Sequence, residues 1–359
     1  MTTQERVHAV ADYGFTERQA RFLVLVMRHA GLCVKRQYAA FAGIAPGGEK
    51  RNAFFDRLVR RGYAVSSDCI HNRARLYHVH HKPLYHAIGE PESCYRRRVP
   101  ARRAAERLMR LDAVLKSPHL DWLTTRSEKV AYLAARTSPE VIEQRAEVTT
   151  LKAPDIVSEF PGTFPIGVDE TGRLMLVYLV TVPWTEDFRL FLLGHIRLLS
   201  VTPAWTLRLA FPQALQRVVS DYQQAVREEL ESPLLATTIN DLRWYFFHRR
   251  RGTDVGAMSG PLHDRFIQCA NAFAGPRFAL LCRRWLRDED APFTPLSSRV
   301  TEAFVSSRAS LECIVLPHTY EHLSPLVNRR RLWRRHDTAD AKEGARALRS
   351  LNPPLNPAP

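Results

Sequence analysis

The stretch GEKRNAFFDRLVRRGYAV, residues 48–65, constrains the fold more than any other part of the chain. Phe54, Phe55, Leu58 and Val59 recur at the spacing of one helix face, while Lys50, Arg51, Asn52, Arg57, Arg60 and Arg61 occupy much of the remaining surface. Such a helix must bury one side against a core and hold a row of cations in water on the other. Gly62 stops it, and Tyr63-Ala64-Val65 begins a β-strand. The pattern predicts a basic helix over residues 49–61 followed at once by a strand.

The flanks complete a unit. Thr16 is placed to cap a helix whose apolar face holds Ala20, Phe22, Leu23, Leu25, Val26 and Met27 and which ends at Gly31. Val34, Tyr38, Ala39 and Phe41 mark a short helix that stops at Gly43, and residues 44–48 form a turn. Downstream, Tyr63–Ser66 and Leu76–His80 read as two strands joined by a connection containing His71-Asn72-Arg73-Ala74-Arg75. Helix, Gly-containing turn, basic helix and hairpin follow one another in the order of a winged helix-turn-helix. At the start of its recognition helix, Asn bridges adenine and Arg bridges guanine in the major groove, which makes Lys50, Arg51, Asn52 and Arg57 the expected base readers. Arg60 and Arg61, with Arg73 and Arg75 on the wing, are the expected grips on the DNA backbone. The competing reading is a solvated basic hairpin with no partner.

Charge favours the first. The 359 residues include 52 Lys+Arg against 37 Asp+Glu, a net charge of +15. Residues 1–110 hold 21 basic and 9 acidic residues, so +12 of the +15 lies there. A uniform arginine bias would spread the excess along the chain; a polyanion-binding region concentrates it. With 45% hydrophobic and 25% charged residues the chain is globular, and its length allows two domains. The start MTTQERVHAV lacks the apolar core of a secretory signal, and the most apolar runs are too short or too charged to span a bilayer. Cys33, Cys69, Cys94, Cys269, Cys282 and Cys313 show no CxxC spacing and read as reduced thiols. The expected setting is cytoplasmic and nucleoid-associated, with no membrane partner.

Beyond the first 92 residues, residues 93–146 read as a helical connector or dimer arm, with Ala105, Leu108, Met109, Leu111, Val114 and Leu115 as its apolar stripe and the helical pattern continuing through Leu120–Leu123. The competing reading packs that helix on the second domain. Residues 147–336 read as an α/β-helical domain: a strand over Leu174–Val182, a helix over Thr185–Ser200, a strand over Trp205–Phe211, one helix over Gln213–Glu231, a helix over Thr238–Arg251, a helical pair broken at Gly275-Pro276, and a late strand over Leu311–Leu316. In Trp244–Arg251, aromatics precede a run of cations; a core stripe with a solvated helix end is the simpler reading, and a base-stacking surface the other. Residues 337–359 read as a disordered tail. The fold class expected is α+β.

Strand, hairpin, strand, helix, strand is also the skeleton of restriction-endonuclease-like folds, so a metal-dependent nuclease is the enzyme alternative. Such enzymes need an acid-x-Lys triplet beside further carboxylates to hold Mg²⁺. Asp155 and Asp169 could supply carboxylates, but Leu174–Val182 contains neither acid nor lysine. A degenerate version serving as a docking or dimerisation layer is the expectation. Nucleotide-binding and hydrolase motifs are missing. Cys69 with His71, His78, His80, His81 and His86 invites a zinc reading, in which alternation puts His78 and His80 on one strand face beside Cys69, but no two of them show the close Cys-pair spacing of structural zinc sites, and Tyr77 and Tyr85 beside them lack the acid partner a relaxase nucleophile would want. No catalytic residue, cofactor or metal is expected.

FFDRLVRRGYAV with its arginine-bearing hairpin resembles the winged helix-turn-helix regulators. The continuation LMRLDAVLKSPHLDWLTTRSEKVAYL, followed by an α/β segment, is similar to the replication-relaxation proteins of plasmids and integrative elements. The resemblance implies DNA-linked work on a mobile element, in replication, transfer or transcriptional control. Sequence-specific binding of double-stranded DNA is the expectation from the motif itself, the connector helix as a dimer arm would make the protein a homodimer on paired half-sites, and the degenerate C-terminal layer would serve to dock a protein partner. A protein-binding scaffold is the non-DNA alternative.

Overall fold

A computed structural model describes residues 1–45, 49–68, 75–136, 164–231, 234–250, 260–288, 298–318 and Tyr320. It is a mixed α and β structure with a three-stranded and a five-stranded sheet.

The N-terminal part runs α1 (Thr3–Ala11), α2 (Glu17–His29), β1 (Leu32–Val34), α3 (Lys35–Ala42), α4 (Glu49–Arg60), β2 (Ala64–Asp68), β3 (Arg75–Val79) and α5 (Lys82–Ala87). Reciprocal capping boxes start the first two helices, Thr2 with Glu5 and Thr16 with Gln19, so two otherwise orphaned amides are satisfied at each end. Gly43, at φ 64°, lets the chain leave α3 in a left-handed turn that a Cβ would strain. The strands pair antiparallel in the order β1-β3-β2. Phe22, Met27, Phe54, Phe55, Leu58, Tyr77 and Val79 meet in one core. Val59, expected in that stripe, is 39% exposed: Phe54, Phe55 and Leu58 already fill the side of α4 that meets the core. Helices α1 and α5 and strand β1 had no counterpart in the sequence reading.

Helix α6 (Ala101–Leu115) is shared between two cores. Leu111 packs into the N-terminal core, while Ala104, Ala105, Leu108, Met109 and Ala113 pack with Leu32 and Val34 on one side and Val177, Ala210 and Leu316 of the large sheet on the other. Its apolar stripe is thus occupied within the chain. The next element corrects the sequence reading. Asp121–Leu123, expected to be helical, is strand β4, paired antiparallel with β5 (Ile166–Val168). Gly167 of β5 makes room for this edge: a Cβ there would sit 2.9 Å from Leu120 Cδ1. Helix α7 (Arg126–Arg136) follows β4. The order β4-β5-β6-β7-β8 is antiparallel through β6 (Leu174–Leu179) and parallel from there to β7 (Trp205–Pro212) and β8 (Ala309–Leu316). All eight residues of β7 are buried, as a central strand covered on both faces requires.

Helix α8 (Glu186–Val201) makes the β6-to-β7 crossover. The longer return to β8 holds a 3₁₀ segment (Gln213–Val218), α9 (Val219–Val226), a π turn (Arg227–Glu231), α10 (Ala236–Arg250), α11 (Gly260–Ala272), α12 (Pro276–Asp288) and α13 (Ser298–Val305). The single helix expected over Gln213–Glu231 is therefore broken into three geometries. In the π turn, consecutive Glu228 and Glu229 both reach Arg189 of α8, each at 2.7 Å, an arrangement the wider turn permits. Among the described residues no helix is long and apolar enough to cross a membrane.

Candidate nucleic-acid interface

Three elements of the N-terminal unit bring cations together. Tyr77 of β3 alternates inward with Val79 and sets its ring 4.4 Å from that of Phe55, which clamps α4 against the hairpin. Lys35, the first residue of α3, then lies with its ammonium 5.9 Å over the Tyr77 ring and donates to Asn52 Oδ1 at 2.8 Å. Burial lowers the Lys35 pKa; Asp56 opposes this, while Arg51 and Arg75 push the same way as burial. Tyr77, raised chiefly by burial, feels the same two arginines. Arg51 and Arg75 are thus both within electrostatic reach of Lys35 and Tyr77. Arg75 Nε meets Asp68 Oδ1 at 3.1 Å across the hairpin, with both side chains exposed, a pair that water screens and a phosphate can displace. Arg51 Nε has no hydrogen-bond partner among the described residues.

The other expected contacts divide. Arg57 donates from Nη1 to Gly14 O at 2.9 Å and from Nη2 to Gln19 Oε1 at 3.2 Å, and lies 5.8 Å over the Phe15 ring. Arg61 Nη1 donates to Tyr13 O at 2.9 Å. Both tie α4 to the loop ahead of α2. Arg60 is exposed. Arg73 lies outside the described residues, as does the Lys50 side chain. The Asn52 amide is held by its oxygen, so its NH₂ donors are the part left for a ligand. A two-sided match to adenine would also need Oδ1 as acceptor, and Lys35 competes for that atom. Lys35 itself was not singled out in the sequence; its position one residue after the β1 strand and ahead of an apolar helix gave no sign that it would face α4.

A carboxylate fixes α3 from behind. Asp112 of α6 accepts from Arg36 Nη1 at 2.9 Å and Nη2 at 2.8 Å, from Gln37 Nε2 at 3.0 Å, and from the Tyr320 hydroxyl. In a separate network, Arg28 of α2 pairs with Glu90 at 2.9 Å and with Glu128 of α7, which also takes Arg6 at 3.3 Å. Helix α3 is therefore locked to α6, and α2 to α7.

No family model, curated protein or solved structure matches the chain.

Of the carboxylates considered for a nuclease, Asp169 is committed to a turn. Asp169 Oδ1 accepts from the Thr171 hydroxyl at 2.6 Å, the Thr171 amide at 2.9 Å and the Arg173 amide at 2.9 Å. These bonds, led by the Thr171 hydroxyl, hold its carboxyl below the usual range and cap the β5–β6 turn. Asp155 lies outside the described residues. His78 bonds Tyr95 O at 3.2 Å, and its ring is 6.1 Å from that of His80. Among the described residues no three His, Cys, Asp or Glu side chains are grouped to hold a metal ion.

Proposed function

We propose that the chain is a sequence-specific double-stranded-DNA-binding protein of the winged helix-turn-helix type. Helices α3 and α4 form the reading pair, and β2–β3 the wing. The observation that carries the reading is the convergence of Lys35, Arg51, Asn52 and Arg75, from α3, α4 and β3, at the N-terminal end of a basic helix. Donors and cations gathered there, with the exposed Asp68 as the one ion-pair partner among the described residues, suit base edges and phosphates. Lys50, Arg51 and Asn52 would read bases; Arg60, Arg73 and Arg75 would grip the backbone. Arg57 and Arg61 would support the site by holding α4 on the preceding loop.

The biological reading is a mobile-element regulator or a replication or transfer accessory factor akin to replication-relaxation proteins, acting in the cytoplasm as a homodimer on paired half-sites. The order helix, antiparallel strands, helix, parallel strand supports a degenerate restriction-endonuclease-like layer for the C-terminal part, offered to a protein partner. The lack of an acid-x-Lys triplet on β6 supports a non-enzymatic role.

Binding isotherms at several salt concentrations test the proposal. Affinity should fall steeply with salt, and Arg51→Ala with Arg75→Ala should weaken binding and flatten the slope by about 0.9 for each phosphate no longer neutralised. Affinity that ignores salt, or survives both substitutions, would sink it. Sequencing the DNA that co-purifies from cells separates a promoter regulator from an origin binder. Mg²⁺-dependent cutting abolished by Asp169→Ala would instead establish the nuclease.

A further inference from the structure

Half of the +12 in residues 1–110 is carried by residues 93–110, which hold seven arginines and a single acid, Glu106. Three of these arginines build a strut. Arg96 Nε donates to Pro91 O at 3.2 Å, Arg107 donates to Ala30 O at 3.2 Å and to Cys94 O at 3.5 Å, and Arg110 donates to the Tyr95 hydroxyl at 2.5 Å. The Tyr95 ring lies 5.0 Å from the Arg107 guanidinium above it, and its carbonyl is bonded by His78 Nε2 of β3 at 3.2 Å. Arg97, Arg98 and Arg103 take no part in this. All three are exposed, and none makes a side-chain hydrogen bond or ion pair to a described residue. The neighbouring carboxylates are taken elsewhere: Glu90 by Arg28 at 2.9 Å, Glu92 by Lys82 at 4.0 Å and Glu106 by Arg110 at 3.3 Å.

Helix and strand geometry put these three on one surface, and that surface away from α4. Arg103, Arg107 and Arg110 share a face of α6 at the i, i+4, i+7 spacing. Arg107 and Arg110 hold Cys94 and Tyr95 against this face, so the chain carrying Arg97 and Arg98 returns along it to Pro100, whose carbonyl accepts from the Arg103 amide at 2.8 Å. Side chains on a strand alternate between its two faces. Tyr77 and Val79 of β3 enter the core shared with α4, whereas Leu76, with Leu32 and Val34 of β1, packs against Ala104, Ala105 and Leu108 of α6. Helices α4 and α6 therefore cover opposite faces of the small sheet. The macrodipole gives no reason for cations at this end of α6: it disfavours them in a first turn, and this first turn has no acid and no side-chain cap. Like charges crowded without counter-charge repel, and a polyanion relieves that repulsion.

We propose that Arg97, Arg98 and Arg103 form a sequence-independent surface for the phosphate backbone of a second duplex segment, distinct from the segment met by α4. The small sheet stands between the two helices, so a straight duplex lying against α4 does not pass over these arginines, and the chain bridges two segments. No large apolar side chain among the described residues of 93–110 is exposed, which sets this surface apart from one that enters a membrane. The inference rests on the DNA-binding reading of α3 and α4 and extends it: one surface reads bases, the other gathers a further stretch of backbone.

The test uses the full chain, the variant Arg97→Ala/Arg98→Ala/Arg103→Ala, the same three positions changed to Lys, and Arg51→Ala/Arg75→Ala. Random-sequence duplex is fixed to beads, the chain is added, and recovery of a second, labelled duplex is read. The wild-type chain should retain the labelled duplex. The triple alanine variant should lose it while still binding the beads, and the lysine variant should keep it, since a point charge suffices for phosphate. Affinity for random duplex is also measured against salt. Adding the three alanines to Arg51→Ala/Arg75→Ala should lower the log–log slope by about 2.7, three phosphates at ~0.9 each, and weaken binding at about 0.1 M salt on the order of a hundredfold. Arg98→Ala alone, which should lower that slope by about 0.9, keeps the measurement valid if the triple variant fails to fold. A wild-type chain that retains no second duplex, bridging that survives the triple alanine variant, or a slope those alanines leave unchanged would overturn this proposal. Loss of bridging in the triple alanine variant, together with affinity indifferent to Arg51→Ala/Arg75→Ala, supports this surface and overturns the α4 reading alone.

Discussion

Replacing Asp112 by alanine should be among the most damaging single changes in the chain. Its side chain is 8% exposed and accepts a two-pronged contact from Arg36 as well as bonds from Gln37 and Tyr320. Alanine leaves a guanidinium, an amide and a hydroxyl facing a void with no acceptor. Breaking a buried ion pair by removing one partner costs about 3–5 kcal/mol. Each stranded neutral donor costs on the order of 1 kcal/mol more, but these overlap, because the donors share one acceptor and cannot be summed. Arg36 is 25% exposed and can turn towards water, which argues for the lower part of the range, about 4 kcal/mol in all. For a chain of this size that corresponds to a fall in Tm on the order of 10 °C. Urea unfolding of Asp112→Ala, Arg36→Met and the double variant gives the cycle. The double variant should cost at least ~2 kcal/mol less than the sum of the singles, since removing both charges leaves neither uncompensated. A cost below about 1 kcal/mol for Asp112→Ala, or strict additivity, would refute the reasoning.

Three further outcomes are expected. Arg57→Ala should cost about 1–2 kcal/mol in chemical denaturation, since its bonds to Gly14 and Gln19 disappear, whereas Arg60→Ala, exposed, should cost under about 0.5. Burial works against the charged Glu128, but the Thr125 amide, Arg28 and the Thr124 amide and hydroxyl hold its carboxyl down at about 2 against an ordinary 4.5; its folded pKa is depressed, so its stabilisation is present above pH 4.5 and is lost as pH falls towards 2. Stability measured across that window should drop in the wild-type chain by about 2 kcal/mol more than in Glu128→Gln. Gly31, at φ +70°, has no room for a methyl group, since a Cβ would lie 2.0 Å from the Tyr95 carbonyl oxygen; Gly31→Ala should leave little folded protein in the soluble fraction, and normal yield with an unchanged Tm would contradict the described packing.

Long periodic elements were legible in the sequence. Thr16 and Gly31 bracket α2, Gly62 ends α4, and the apolar runs of β6 and β7 stand out because strands covered on both faces need no polar alternation. Strand β4 was not legible: it is three residues long, and its partner β5 lies more than forty residues away. The same limit governs the site. Composition marked out the arginines of α4 but not their targets, so Arg57 and Arg61 looked equal to Arg51. Their bonds run to carbonyls of Gly14 and Tyr13, acceptors that every residue carries and no pattern distinguishes. Lys35 went unnoticed for the converse reason, because its position against Asn52 depends on how β1 seats α3 beside α4.

Because α6 forms a wall of two cores at once, the chain behaves as indivisible goods. A fragment ending at residue 92 would expose Leu32 and Val34, and one starting at residue 121 would bare Val177, Ala210 and Leu316. Neither half can be lent to another protein without the helix, and the helix cannot serve a new host without rebuilding both of its faces. A substitution on either face of α6 is therefore felt in the core that face helps to build.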